Sequence, residues 1–202
     1  VAIRYPKGVN GSNKYVEWIA AKRTSKSPKL YINYVSHAGV EGWWQYESLS
    51  AGRAGTAQVD IFNGNLVHAH ADVAMSGKRM PVSVTHYYNS CLSAANDCYC
   101  GMGWRTTANQ SMHRETLRDY NSENVPYYVW TDGDGTEHYF KATGAQPYKD
   151  DEGMELKLSV SDGTATIRDK GDTAMAFPAP DASGNKTYIT SVTDACGNKM
   201  TY

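Results

Sequence analysis

Val, Ile, Thr and Tyr alternate with polar residues over short runs, and Gly, Asn, Asp and Pro bound those runs. A period of two puts successive side chains on opposite faces of an extended chain, and β-branched and aromatic residues suit a pleated surface, so the pattern predicts strands. They are Leu30–Val35, Val59–Phe62, Asn65–Ala71, Pro81–Tyr88, Arg105–Gln110, Tyr127–Thr131, Glu137–Lys141, Glu155–Val160, Thr164–Arg168 and Thr187–Val192. Their spacing suits sandwiches or an array of sheets. In the best helical segment, Tyr15–Lys22, Trp18 and Ile19 are adjacent rather than striped, and no apolar run of helical period continues it. The expected fold is all-β: antiparallel sheets built from successive hairpins, sandwich-like, with very little helix.

The connections are expected to be short. Asn63-Gly64, Asp132-Gly133-Asp134-Gly135, Asp162-Gly163, Gly184-Asn185 and Gly197-Asn198 supply residues that tolerate the positive φ angles of tight hairpins. An internal repeat accompanies them. Three times an apolar residue stands two before an Asp and an aromatic eight after it: Trp130/Asp132/Phe140, Ile167/Asp169/Phe177 and Val192/Asp194/Tyr202. The last two copies also share a Met, Met175 and Met200. Each copy reads as strand, Asp-initiated turn, strand, with Asp132, Asp169 and Asp194 starting the turns and the flanking apolar residues as buried strand contacts. A unit this small cannot bury a core alone, so stacking of successive hairpins is implied.

Composition narrows the class. The chain has 202 residues, 41% of them apolar and 11% aromatic, which is enough to fill one substantial core or two small ones. Fifteen tyrosines against three phenylalanines fit half-exposed sheets. The net charge is −1 and the basic residues are scattered, so there is no electrostatic footprint for nucleic acid or an anionic membrane. No apolar run approaches the roughly 20 residues of a membrane span. The chain opens at Val1 without a Met or a basic-then-apolar leader and stops at Tyr202 inside a strand-like run, as expected of a piece of a longer polypeptide. Residues 1–35 read as the tail of a β-sandwich domain, 36–56 as a Ser-, Gly- and Ala-rich linker, and 57–202 as the hairpin region.

Five short motifs occur in a telling order: Gly64-Asn65-Leu66-Val67; Ser76-Gly77-Lys78-Arg79-Met80-Pro81-Val82; Tyr87-Tyr88-Asn89-Ser90; Gly103-Trp104-Arg105; and Thr131-Asp132-Gly133-Asp134-Gly135. In this order they resemble the region that precedes the repeat array of Rhs/YD-repeat proteins, over about residues 55–202. The resemblance implies a segment ahead of Tyr-Asp hairpin repeats that spiral into a hollow β shell, in a protein that often delivers a C-terminal toxin or acts at the cell surface. Tyr15–Tyr34, ending in Ser27-Pro28-Lys29-Leu30-Tyr31-Ile32-Asn33-Tyr34, is similar to the last strands of the DNRLRE-type β-sandwich found upstream of Rhs regions in secreted bacterial proteins.

Several constellations are candidates for chemistry. His68-Ala69-His70-Ala71-Asp72 puts two imidazoles and a carboxylate on one face of a strand, and the spacing resembles the HxHxD of metallo-β-lactamase-like hydrolases. A catalytic zinc would need further ligands from His86, His113 or His138. Val73 follows Asp72 and helices are scarce, so solvent-facing or hydrogen-bonded strand histidines are the expectation and no metal is assigned. Cys91, Cys98 and Cys100 cluster in a loop-like stretch, and Cys196 stands apart. Cys98 and Cys100 are poorly placed to bond to each other, which leaves a small loop closed by Cys91 with one of them, free thiols, or a zinc cluster. Trp43, Trp44 and Tyr46 either pack the linker onto a domain or form a glycan-stacking platform. Asp132, Asp134 and Glu137 lack the other positions of a calcium loop, and Asp150-Asp151-Glu152 reads as a solvated acidic loop. Asn10, Asn109 and Asn185 match the Asn-x-Ser/Thr triplet, which is common by chance.

The function that the resemblance implies is structural and non-enzymatic, with no cofactor expected: a segment of a large secreted or cell-surface bacterial protein acting in shell assembly, display or toxin delivery. Its expected partners are the rest of the parent polypeptide and a cell-surface glycan or protein. A carbohydrate- or surface-binding module using Trp43, Trp44 and Tyr46 is the alternative, and a zinc hydrolase using His68, His70 and Asp72 a more distant one.

Overall fold

The computed structural model describes residues 39–42, 44–77, 80–92, 99–118 and 123–202, and the backbone of two short paired strands, β1 (Lys14–Tyr15) and β2 (Asn33–Tyr34). The rest of residues 1–38, including the helical candidate beyond Tyr15, lies outside the described residues. Among those described, the chain is all-β and antiparallel, with helix confined to single 3-10 turns at Gly52–Ala54, Ser90–Leu92 and Thr107–Asn109.

The first sheet is a meander of β3 (Tyr46–Ser50), β4 (Thr56–Asp60), β5 (Leu66–Met75), β6 (Val82–Asn89) and β7 (Trp104–Thr106), in that spatial order. β3 falls in the stretch expected to be a linker. As an edge strand it is exposed at four of its five positions, so no alternation of apolar residues betrays it. The run predicted as one strand from Arg105 stops at Thr106, where the turn at Thr107–Asn109 lifts the chain away.

β8 (Ser111–Arg118), β9 (Asn124–Thr131) and β10 (Glu137–Lys141) open a second sheet. Then come β11 (Tyr148–Lys149), β12 (Lys157–Ser161), β13 (Thr164–Arg168), β14 (Ala174–Pro178), β15 (Thr187–Tyr188), β16 (Ser191–Thr193) and β17 (Lys199–Thr201). β15 joins the second sheet beside β8, while β11, β12, β13, β14, β16 and β17 make the third. The run predicted as one strand over Thr187–Val192 is therefore two. The chain crosses between layers at Ile189 and Thr190, and Ile189 is left buried in the gap.

The second and third sheets face each other over one core. Met112, Trp130 and Phe140 come from one layer, and Leu158, Ala165, Ile167 and Phe177 from the other, closed by Leu156 and Ile189. Each large side chain buried so completely stabilises the fold by roughly 1.5–3 kcal/mol relative to exposure. Val192 packs half-buried against this core. Tyr202, expected to be buried with it, is 43% exposed: it follows the outermost strand of the third sheet, where its amide donates to the Thr190 carbonyl at 3.0 Å.

The three Asp turns share one geometry. In β9–β10, β13–β14 and β16–β17 the Asp amide donates to the carbonyl four residues on (Thr136, Thr173, Asn198), at 2.9, 3.1 and 3.0 Å. The Asp carboxylate accepts the amide of that same residue at 3.0, 2.8 and 2.8 Å. The residue between, Gly135, Asp172 or Gly197, takes a positive φ of 97, 64 or 82°. Register follows from this closure: Trp130 pairs His138, Ile167 pairs Met175 and Val192 pairs Met200. The same offset brings the aromatic eight residues past each Asp onto the face of the apolar residue two before it, which accounts for the repeat. At Gly197 nothing lies within 4 Å of an added Cβ, so substitution strains only the backbone. Gly197→Ala is expected to cost about 1 kcal/mol and lower Tm by roughly 2–4 °C, and Asp194→Ala also to lower it, by differential scanning calorimetry.

Candidate functional site

The tip of the β9–β10 hairpin is buried against the first sheet. Asp132 Oδ1 accepts the amides of Asp134, Gly135 and Thr136, and its Oδ2 accepts His138 Nε2 at 3.3 Å. The other ring nitrogen, Nδ1, donates to Glu152 Oε2 at 2.9 Å, and Trp130 stacks on the ring at 4.6 Å. Burial opposes charge on His138, but hydrogen bonds and attraction from Asp132 and Glu152 prevail and push its pKa up from 6.5 to about 10. Burial likewise opposes charge on Asp132, yet the bond from His138 and the field around it hold that carboxyl below its usual range. Asp134 has no such cation, and burial together with the Asp132 charge pushes it up to about 7.

This tip joins the layers. Asp134 Oδ2 accepts the Val40 amide at 2.9 Å and its carbonyl accepts Asn89 Nδ2, while the Arg105 guanidinium donates to the Asn109 carbonyl and, at 3.5 Å, to that of Asp132. Gly39 lies so close that a Cβ would stand 1.7 Å from Thr136 Oγ1. The carboxylates of Asp132 and Asp134 are thus committed to amides and His138, and Glu137 accepts the Tyr139 hydroxyl, so they do not converge as calcium ligands. Glu152, expected in a solvated acidic loop, is drawn inward by His138, and Asp150 accepts the amides of Met154 and Leu156.

One face of the first sheet carries the histidines. His68, Tyr88 and Trp104 stand opposite one another across β5, β6 and β7, and His70 stands opposite His86. A β-bulge between Ala71 and Val73 makes Asp72 the extra residue of β5, and bulges re-aim side chains. Asp72 turns to the neighbouring strand: its Oδ1 and Oδ2 each accept His86 Nδ1 at 2.8 Å, and Oδ1 accepts His70 Nδ1 at 3.1 Å. His68 is excluded from this trio because its Nε2 donates to the Ala54 carbonyl at 2.7 Å. The trio is His70, Asp72 and His86, not His68, His70 and Asp72. The bond from His86, ahead of that from His70, holds the Asp72 carboxyl below its usual range.

Residues 56–140 match a family model described as a domain of unknown function (DUF6531). No curated protein matches the chain. The DUF6531 stretch runs from β4 to Phe140 in β10, so it holds both the histidine face and the first Asp-closed hairpin, and it stops short of β11–β17.

Outside these clusters, Trp44, Gln45, Asp60, Ile61 and Phe62 line an open groove of about 520 Å³, with Phe62 90% exposed. Tyr46 is not part of it: its hydroxyl accepts the Glu41 amide at 2.8 Å and donates to the Gly39 carbonyl, which pins that segment to the sheet. Trp43 and Cys98 lie outside the described residues. Cys91 and Cys100 are exposed, and Cys196 is an exposed free thiol in the Asp194 turn.

The buried cluster predicts a pH dependence. His138 binds its proton more tightly folded than unfolded, so its contribution is complete below about pH 6.5 and lost as pH rises through about 10. Asp134, also raised, acts with the same sign between its usual 3.8 and about 7. His138→Gln is expected to cost about 3–5 kcal/mol at neutral pH, by leaving buried carboxylates without their cation; urea denaturation is expected to show the parent losing stability between pH 7 and 10 and the variant a flatter profile.

Proposed function

We propose that this chain is a non-enzymatic structural segment of a large secreted or cell-surface bacterial polypeptide of the Rhs/YD-repeat type, acting in shell assembly, display or toxin delivery. The observation that carries the proposal is the Asp-closed hairpin, used three times in one register, with β13–β14 and β16–β17 laid side by side in one growing sheet. A unit that extends a sheet by a fixed step is what assembly of a β shell needs. The DUF6531 match supports the same reading, since that family is associated with Rhs/YD-type proteins. In this role Asp132, Asp169 and Asp194 set the turns, and Trp130, Phe140, Ile167 and Phe177 supply the contacts that hold successive hairpins to the opposite layer.

A second reading, surface or carbohydrate binding, has the Trp44–Phe62 groove in its favour, because the exposed Phe62 ring beside exposed Gln45 offers a stacking plane and a hydrogen-bond partner. One set of assays separates the two. The structural role predicts no hydrolysis of ester, lactam or phosphodiester substrates by the purified protein, with or without added zinc, and no retention on a glycan array. Turnover lost in His70→Ala contradicts it, and glycan retention lost in Phe62→Ala transfers the function to the groove.

A further inference from the structure

We propose that His70, Asp72 and His86 form a surface site for a first-row divalent transition ion of the zinc, nickel or copper kind, clamping β5 to β6 across the bulge. The structural role proposed above does not depend on it. Two imidazole nitrogens and a carboxylate oxygen all lie within 4.8 Å of one another, on directly facing strands. Both imidazoles already aim Nδ1 at Asp72, from 3.1 Å for His70 and 2.8 Å for His86. A tetrahedral ion with bonds of about 2.0–2.2 Å spaces its ligand atoms by roughly 3.3 Å, so small rotations of three partly exposed side chains admit it.

In the metal-free arrangement the Nδ1 of each ring donates to Asp72. To take the ion each ring presents Nδ1 without its hydrogen and carries one on Nε2, so that the Nδ1 lone pairs and one carboxylate oxygen become ligands. Imidazole with a single carboxylate favours zinc, nickel or copper over calcium or magnesium, which prefer all-oxygen sets. The side chains of His70, Asp72 and His86 are 30, 41 and 31% exposed, so the remaining coordination positions face solvent and can take water or a donor group from another molecule. Behind the ligands, the Trp104 ring lies 5.3 Å from that of His86 and His68 is tied to the Ala54 carbonyl, which fixes the back of the site.

The test is calorimetric titration of Zn²⁺ into the full, tag-free chain with Cys91, Cys98, Cys100 and Cys196 changed to Ser, so that thiols do not compete. One equivalent is expected to bind and to raise Tm. His70→Ala and His86→Ala are each expected to weaken binding by at least about tenfold, since even groups that only orient ligands contribute that much. In the same protein Cu²⁺ is expected to quench emission from Trp104, with the quench lost in Trp104→Phe. These ligands are surface residues, and circular dichroism of each variant confirms that it is folded. Absence of binding by the Cys-free parent, or binding unchanged in His86→Ala, overturns the proposal.

Discussion

A protonated imidazole held between two carboxylates, with little water around it, is the constraint on which the layers depend. His138 is nearly inaccessible, and Asp132 and Glu152 reach it from opposite sides, one from the turn just before its strand and the other from the loop after β10. Taking such charges out of water costs several kcal/mol apiece, and the cost is recovered only where the remaining polar atoms are hydrogen-bonded. Asp132 meets that condition by accepting three consecutive backbone amides while it faces His138. One carboxylate therefore sets the turn, fixes the imidazole and holds its carbonyl where the Arg105 guanidinium finds it. A rigid tip of this kind can be inserted against another sheet, and here it receives Gly39–Val40 and Asn89 on one side and Thr107 on another.

The other two Asp turns use the same backbone geometry without the buried cation. They are exposed and lie in the third sheet, where each closes a hairpin whose inner face packs on the shared core. The contrast separates two uses of one motif. Where the turn meets solvent it only sets register, and where it meets another layer it acquires His138 and Glu152 and becomes a joint. Asp134 distinguishes the joint: its carboxylate accepts the Val40 and Thr136 amides, where the exposed copies carry Gly171 and Cys196.

Local features were legible in the sequence and non-local ones were not. The Asp turns could be read because their partners lie within four residues, and the resulting register explains the spacing of Trp130 to Phe140 and Ile167 to Phe177. β3 escaped because an edge strand exposed on both faces has no apolar alternation, and β8 because Met112 and Leu117 are its only aliphatic positions among charged and polar ones. Thr187–Val192 looked like one strand because nothing in its composition marks the passage between layers. The histidine trio was half visible: His70 and Asp72 are two apart on β5, but His86 enters through the pairing of β5 with β6 and His68 leaves through Ala54, contacts that spacing does not encode. Glu152 lay in an acidic run whose inward turn depends on a histidine 14 residues away.

The most direct measurement is the protonation state of the His138 ring, read from its nitrogen chemical shifts in a sample labelled with ¹⁵N-histidine and assigned by comparison with His138→Gln. If the clamp between Asp132 and Glu152 organises the joint, both ring nitrogens carry hydrogen at pH 7.5 and remain so until the pH approaches about 10. A neutral ring at pH 7.5, with one nitrogen bare, would contradict the account.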